Sequence, residues 1–189
     1  MTLFEWYLAR ASGMTAFALL TITVALGLLL SGRAQSRAWP RFAVEDVHRF
    51  AGVLTGAFVS LHVLTLFADA YMPFSLGQLL LPGASSYRPF ATALGVVGAE
   101  LLLALAIANR FRGRLSYRFW RRTHYLNFAV WGLALGHGLL SGTDSGSPWA
   151  SSLYVGSAAL VAGLLTYRAG GSQPKAATLP KFGITSRVG

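Results

Sequence analysis

The sequence predicts an all-α integral membrane protein, a bundle of five transmembrane helices with the N-terminus outside and the C-terminus in the cytoplasm. Three observations predict it. Of the 189 residues, 54% are hydrophobic, and the mean hydropathy is +0.52, too apolar for a soluble domain of this length. Five runs are long enough to cross a bilayer, which takes about 20 mostly apolar residues. The basic residues fall between those runs and almost all on one side, as the positive-inside rule requires of cytoplasmic loops.

In chain order, the runs lie at about 12–31, 47–68, 90–109, 122–141 and 150–168. The first is not read as a signal peptide, because its apolar core exceeds an h-region and no small-x-small site follows. Ahead of it, Phe4, Trp6 and Tyr7 suit the outer interface or extend the first helix. Arg33, Arg37, Arg41 and Arg49 mark the first inner loop and the start of the second helix. Residues 69–89 form the longest outer loop. In it, Leu76 to Leu81 is too short to span and reads as an interfacial or re-entrant piece between Pro73 and Pro82. The third linker carries Arg110, Arg112, Arg114, Arg118, Arg121 and Arg122. Asp144 to Pro148 is a polar turn before the last helix. The tail carries Arg168, Lys175, Lys181 and Arg187, and its Gly, Ser, Lys and Pro content reads as flexible. Of the 16 basic residues, only Arg10 and Arg88 fall outside. One membrane domain at 1–168 and a basic cytoplasmic tail at 169–189 are expected.

The formal net charge of +10 could suggest nucleic acid. Its placement between apolar runs points to membrane lipid instead, and no nucleic-acid partner is expected. Cysteine is absent, which excludes a disulfide framework, a thiolate-ligated iron–sulfur cluster and thiol catalysis.

The four histidines form two matched pairs. His48 and His62 are fourteen residues apart in the second run; His124 and His137 are thirteen apart in the fourth. At a helical rise of 1.5 Å, those spacings are about 21 and about 20 Å along the axis. Both runs start in the cytoplasm, so His48 faces His124 at the inner level and His62 faces His137 at the outer. Two levels of paired imidazoles are the ligand set for two stacked haems. The first spacing returns to within about 40° of the same helix face, whereas the second leaves about 140° on an ideal helix. Tilt, local overwinding or approach from opposite flanks would close that gap, and Gly132, Gly136 and Gly138 are places for such irregularity. Gly52, with Gly56 a turn later, either lets a porphyrin approach the backbone or packs one helix on another. A lone membrane histidine is more often an inter-helix hydrogen-bonding residue; four at two matched depths reverse that reading.

The segments Val47-His48-Arg49-Phe50-Ala51-Gly52 with Leu61-His62, and Trp120-Arg121-Arg122-Thr123-His124-Tyr125 with Gly136-His137-Gly138, resemble the ferric reductase-like transmembrane domain. That superfamily includes ferric reductases, the membrane core of NADPH oxidases and the haem subunit of periplasmic methionine sulfoxide reductase. The resemblance covers about residues 10–168. It implies two b-type haems held between the second and fourth helices, with His48, His62, His124 and His137 at the ligand positions. It also implies electron flow from a cytoplasmic donor to an acceptor outside. Larger members carry C-terminal flavin and nicotinamide domains. No Gly-rich dinucleotide fingerprint follows Arg168, so no flavin or NAD site is expected here, and the donor is expected to be a separate protein or a quinone. By length the chain is similar to the methionine sulfoxide reductase subunit. Its full set of four histidines departs from that branch, where one ligand position is expected to be missing.

Two axial histidines fill an iron's coordination sphere, so outer-sphere electron transfer is the natural task, and an oxidoreductase subunit in a bacterial inner membrane is the expected setting. Arg49, Arg121 and, less directly, Arg122 are candidates for the inner propionates, and Arg88 for the outer ones; the alternative is topology signal and lipid-phosphate contact. Glu100, mid-helix in the third run, is either a functional carboxyl or a protonated acid hydrogen-bonded between helices. Asp69 and Asp144 read as helix-end or turn residues, and Trp120 and Trp131 as interface anchor and core, or as an electron route. Two rival functions stay open: a terminal reductase of ferric chelates or oxygen at its own outer face, and a structural cofactor-binding subunit of a larger membrane assembly.

Overall fold

The computed structural model describes residues 3–31, 40–69 and 74–170. Most of these residues are helical, with no strand among them. The helices in order are α1 (Leu3–Ser31), α2 (Arg41–Ala68), α3 (Leu76–Leu80), α4 (Pro89–Arg110), α5 (Tyr117–His124), α6 (Asn127–Ser141) and α7 (Pro148–Gly170), with a 3-10 turn at Arg112–Arg114. Among the described residues, α1, α2, α4 and α7 are long and apolar enough to cross a membrane. The chain is therefore an integral membrane protein by composition and helix length. The tail beyond Gly170, with Lys175, Lys181 and Arg187, lies outside the described residues, as do Arg33, Arg37 and Pro73.

The run expected as one span at 122–141 is two helices. α6 has 15 residues, about 22 Å of helix against about 30 Å of hydrocarbon. Between α5 and α6, Tyr125 and Leu126 keep right-handed backbone angles, but the bonds tighten to three-residue spacing. Leu126 N–H donates to Thr123 at 2.9 Å and Phe128 N–H to Tyr125 at 3.1 Å. Local overwinding of this kind turns the chain by about 120° rather than 100° per residue, and it lies between His124 and His137. Three such steps remove about 60° of the azimuthal mismatch. The irregularity is here, not at Gly132, Gly136 or Gly138, which lie within regular α6.

α1 is the hub. It packs along α2 on one side and against α6 and α7 on another. Its buried stripe of Phe17, Leu20, Val24 and Leu28 has the three-to-four-residue spacing of one helix face. That stripe joins Leu105 of α4, Val130 of α6 and Val161 of α7 in the main core, while Phe17 packs with Ala150 and Tyr154 in a second cluster. α4 and α6 form the other intimate pair. Trp131 Nε1 of α6 donates to Thr21 Oγ1 of α1 at 3.0 Å, satisfying an indole donor that hydrocarbon would leave unpaired. α2 packs on α1, touches α4 only slightly and does not pack along α6. That leaves a gap between α2 and the α4–α6 pair.

The remaining ends are capped by ordinary means. α3 is the short apolar piece expected between Pro73 and Pro82, started by a capping box of Ser75 and Gln78, with Leu76, Leu80 and Leu81 exposed. α4 starts with Pro89 at its first position, and Ser116 Oγ accepts from Phe119 N–H at the start of α5.

Candidate functional site

The four histidines come together as two pairs across the gap. His48 of α2 faces His124 at the end of α5, with ring centres 6.2 Å apart; His62 of α2 faces His137 of α6 at 6.4 Å. The ring planes cross at 63° and 74°, so the rings do not stack on each other. A ring nitrogen about 1.1 Å from its ring centre, bonding a metal at about 2 Å, puts two clamping rings about 6.2 Å apart. The separations fit one metal shared by each pair. Among the described residues there is no group of three or more His, Cys, Asp or Glu that could hold a bare metal ion. Each pair thus offers two ligands, the number an iron porphyrin needs from its protein.

Three of the four rings are held in the same way. His62 Nδ1 donates to the Ala9 carbonyl at 2.7 Å, His48 Nδ1 to the Thr23 carbonyl at 2.9 Å, and His137 Nδ1 to the Ala91 carbonyl at 2.8 Å. In each case the residue four positions after the acceptor is a glycine: Gly13, Gly27 and Gly95. A Cβ there would meet the imidazole, at 3.0 Å for Gly13 and His62, 3.3 Å for Gly27 and His48, and 2.7 Å for Gly95 and His137. A carbonyl four residues back is the one bonded to the glycine's own N–H. Removing the Cβ opens the helix surface there, and the ring reaches the carbonyl's second lone pair. With Nδ1 as donor, Nε2 is left as the lone-pair nitrogen, the tautomer a metal-binding histidine requires.

The glycines that matter were not those singled out from sequence. Gly52 has only Thr23 Cγ2, at 3.9 Å, near its Cβ position, and Gly56 has nothing within 4 Å. Gly52, on α2, thus lies beside Thr23 of α1. One signal for the right pair was present: Gly13 and Gly27 are fourteen apart, the same spacing as His48 and His62.

A cavity of about 320 Å³ opens at the His62–His137 level, lined by α1, α2, α4, α6 and α7, a size usual for cofactor sites. Arg10 and Asp69 are on its wall. Arg10, which sequence reading used only for topology, pairs with Asp144, donates to Thr143 Oγ1 and lies over the Trp6 ring at 4.1 Å. It ties the start of α1 to the α6–α7 turn. Asp69 is buried at the end of α2.

The other arginine candidates scatter. Arg88 sits in left-handed backbone (φ 40°), and its guanidinium donates to the Leu140 carbonyl at 2.6 Å, clamping the end of α6 to α4. Arg49 is exposed, with Asp46 4.0 Å away. Arg121 donates to the Tyr117 and Tyr125 hydroxyls, and Arg122 is exposed. Glu100 is exposed on the outer side of α4 and makes no hydrogen bond or ion pair within the described residues. The expected inter-helix hydrogen bond is therefore not made, because the helix's azimuth turns that position away from its neighbours. Trp131 is core; Trp120 stacks on His124 with ring centres 5.2 Å apart and planes at 27°.

A helical membrane bundle with two levels of facing imidazoles is an architecture for a membrane redox protein. The chain belongs to the family described as ferric reductase like transmembrane component, whose model matches residues 12–135. That span holds His48, His62 and His124 and stops just before His137. Members of the family typically bind haem, and their function is membrane electron transfer. No curated protein and no solved structure matches the chain.

Proposed function

We propose that the protein is a transmembrane one-electron carrier that holds two b-type haems. His48 and His124 would hold the inner one, and His62 and His137 the outer. The observation that carries this reading is the pair of ring separations, 6.2 and 6.4 Å, each matching two imidazoles on one metal. A haem bound at each level supplies reversible one-electron oxidation and reduction, with no open coordination position for substrate.

The chain's own residues do the rest. The carbonyls of Ala9, Thr23 and Ala91 fix ring tautomer and orientation. Mostly apolar side chains from α1, α4 and α6 wall the outer level. In this reading α5 and α6 together make the fourth of five crossings, with the N-terminus outside. Moving an electron outward is then favoured by the membrane potential, by about 2.3 kcal/mol per 100 mV. The basic surface from Arg110 to Arg122 faces the cytoplasm of a bacterial inner membrane. There it meets lipid phosphate and a donor, either a protein or a quinone. An acceptor protein meets the His62–His137 end.

The test uses haem-loaded protein in sealed vesicles, with a reductant confined to the Arg112 side and a ferric acceptor on the other. Reoxidation of the reduced absorption bands by the outside acceptor supports the carrier reading. Vesicles whose bands never respond to an acceptor across the membrane contradict it. Fast turnover of small ferric chelates without any protein acceptor would favour the terminal-reductase alternative.

A further inference from the structure

The His124 ring lacks what the other three have. Its Nδ1 is buried with no hydrogen-bond partner among the described residues. The reason lies in the register of α4. Ala91 and Gly95 make the niche for His137, and fourteen residues further on, the spacing that relates the two niches of α1, stand Leu105 and Asn109. Asn109 has a side chain where a glycine would open the helix. That side chain has another partner: Asn109 Oδ1 accepts from Trp120 Nε1 at 2.9 Å. The Trp120 indole, oriented by that bond and with the Arg112 guanidinium over its ring at 5.2 Å, stacks on the His124 ring.

From this we infer that His124 is the exchangeable ligand of the four, held by stacking on Trp120 in place of a carbonyl hydrogen bond, with Asn109 and Trp120 as its positioning residues. The inference rests on the proposed haem ligation. A metal-bound imidazole that donates its other N–H is a stronger base and is fixed in orientation; without that donation, ligand affinity falls by about 10- to 100-fold. A small neutral ligand added to the reduced protein should then replace His124 and not His48, His62 or His137. In that exchange the iron–imidazole bond to His124 breaks and the added ligand donates an electron pair at the vacated position. No proton or electron moves, and no change of oxidation state is needed.

The experiment is carbon monoxide binding to the reduced holoprotein, after haem content has been counted. The expected result is that one of two haems per chain binds carbon monoxide at least about 10-fold faster than the other. The fast component should persist in His62→Ala, which keeps the inner pair. Trp120→Ala should accelerate it by about 10-fold, while Trp120→Phe, which retains a stacking ring but loses the bond to Asn109, should fall between the parent and the alanine variant. Two haems with equal rates, or neither reacting, overturn the inference while leaving the haem reading intact. So does a fast component that His62→Ala abolishes while one haem remains. If His62→Ala retains no haem, the Trp120 variants decide alone, and an alanine variant that matches the parent overturns the inference. Protein without any haem overturns both readings, and the count made first tells the two failures apart.

Discussion

Gly95 and His137 are in contact across α4 and α6 so closely that a single methyl group on Gly95 would lie 2.7 Å from Nδ1 and Cε1 of the ring. The contact places the imidazole over α4 with its Nδ1 on the Ala91 carbonyl. Gly95→Ala is therefore expected to push His137 out of line and weaken haem retention at that level by about 10-fold or more. Gly132→Ala on α6, with nothing within 4 Å of the new methyl, is expected to change nothing. Haem per chain after passage over a desalting column measures both.

His62→Ala removes one ligand from one level only. It is expected to halve the reduced-minus-oxidised band amplitude and leave the other haem low-spin, and His48→Ala is expected to do the same at the other level. Loss of all haem from either variant, with the helical circular dichroism unchanged, would show that the two levels do not bind independently.

The Trp131–Thr21 hydrogen bond joins α6 to α1 away from the imidazoles. Thr21→Val leaves the indole N–H unpaired at nearly constant volume. It is expected to cost about 1 kcal/mol of stability with haem content retained. A thermal melt in detergent, followed at the haem band and by circular dichroism together, measures both quantities.

Arg10 and Asp144 close the cavity side of the His62 level. Asp144→Asn is expected to lower stability by about 1 kcal/mol, as for a partly exposed ion pair, and less so at high salt. A salt series of thermal melts on the parent and the variant shows whether the difference shrinks.

Much of this arrangement was legible before any coordinates. The apolar runs located α1, α2, α4 and α7, because about 20 residues of hydrocarbon-compatible sequence have few other uses. The charge placement and the histidine spacings put His48 opposite His124 and His62 opposite His137, and the structure brings those rings together. What stayed hidden depends on rotation about helix axes. Tyr125 and Leu126 carry no glycine or proline to advertise the tightened turn between α5 and α6. Gly13, Gly27 and Gly95 become niches only once α1 and α4 have chosen which face to turn to the rings. Glu100 points away from the bundle for the same kind of reason. Arg10 with Asp144 could have been guessed, since both were expected on the outer side, but only the packing of α1 beside α6 and α7 makes them partners.

The central claim is best tested by the haem-to-chain ratio of the purified protein, measured with its low-temperature electron paramagnetic resonance spectrum. Two haems per chain, both low-spin with two imidazole ligands, are the expected result. A chain that takes up no haem, or one whose iron is high-spin throughout, would contradict it.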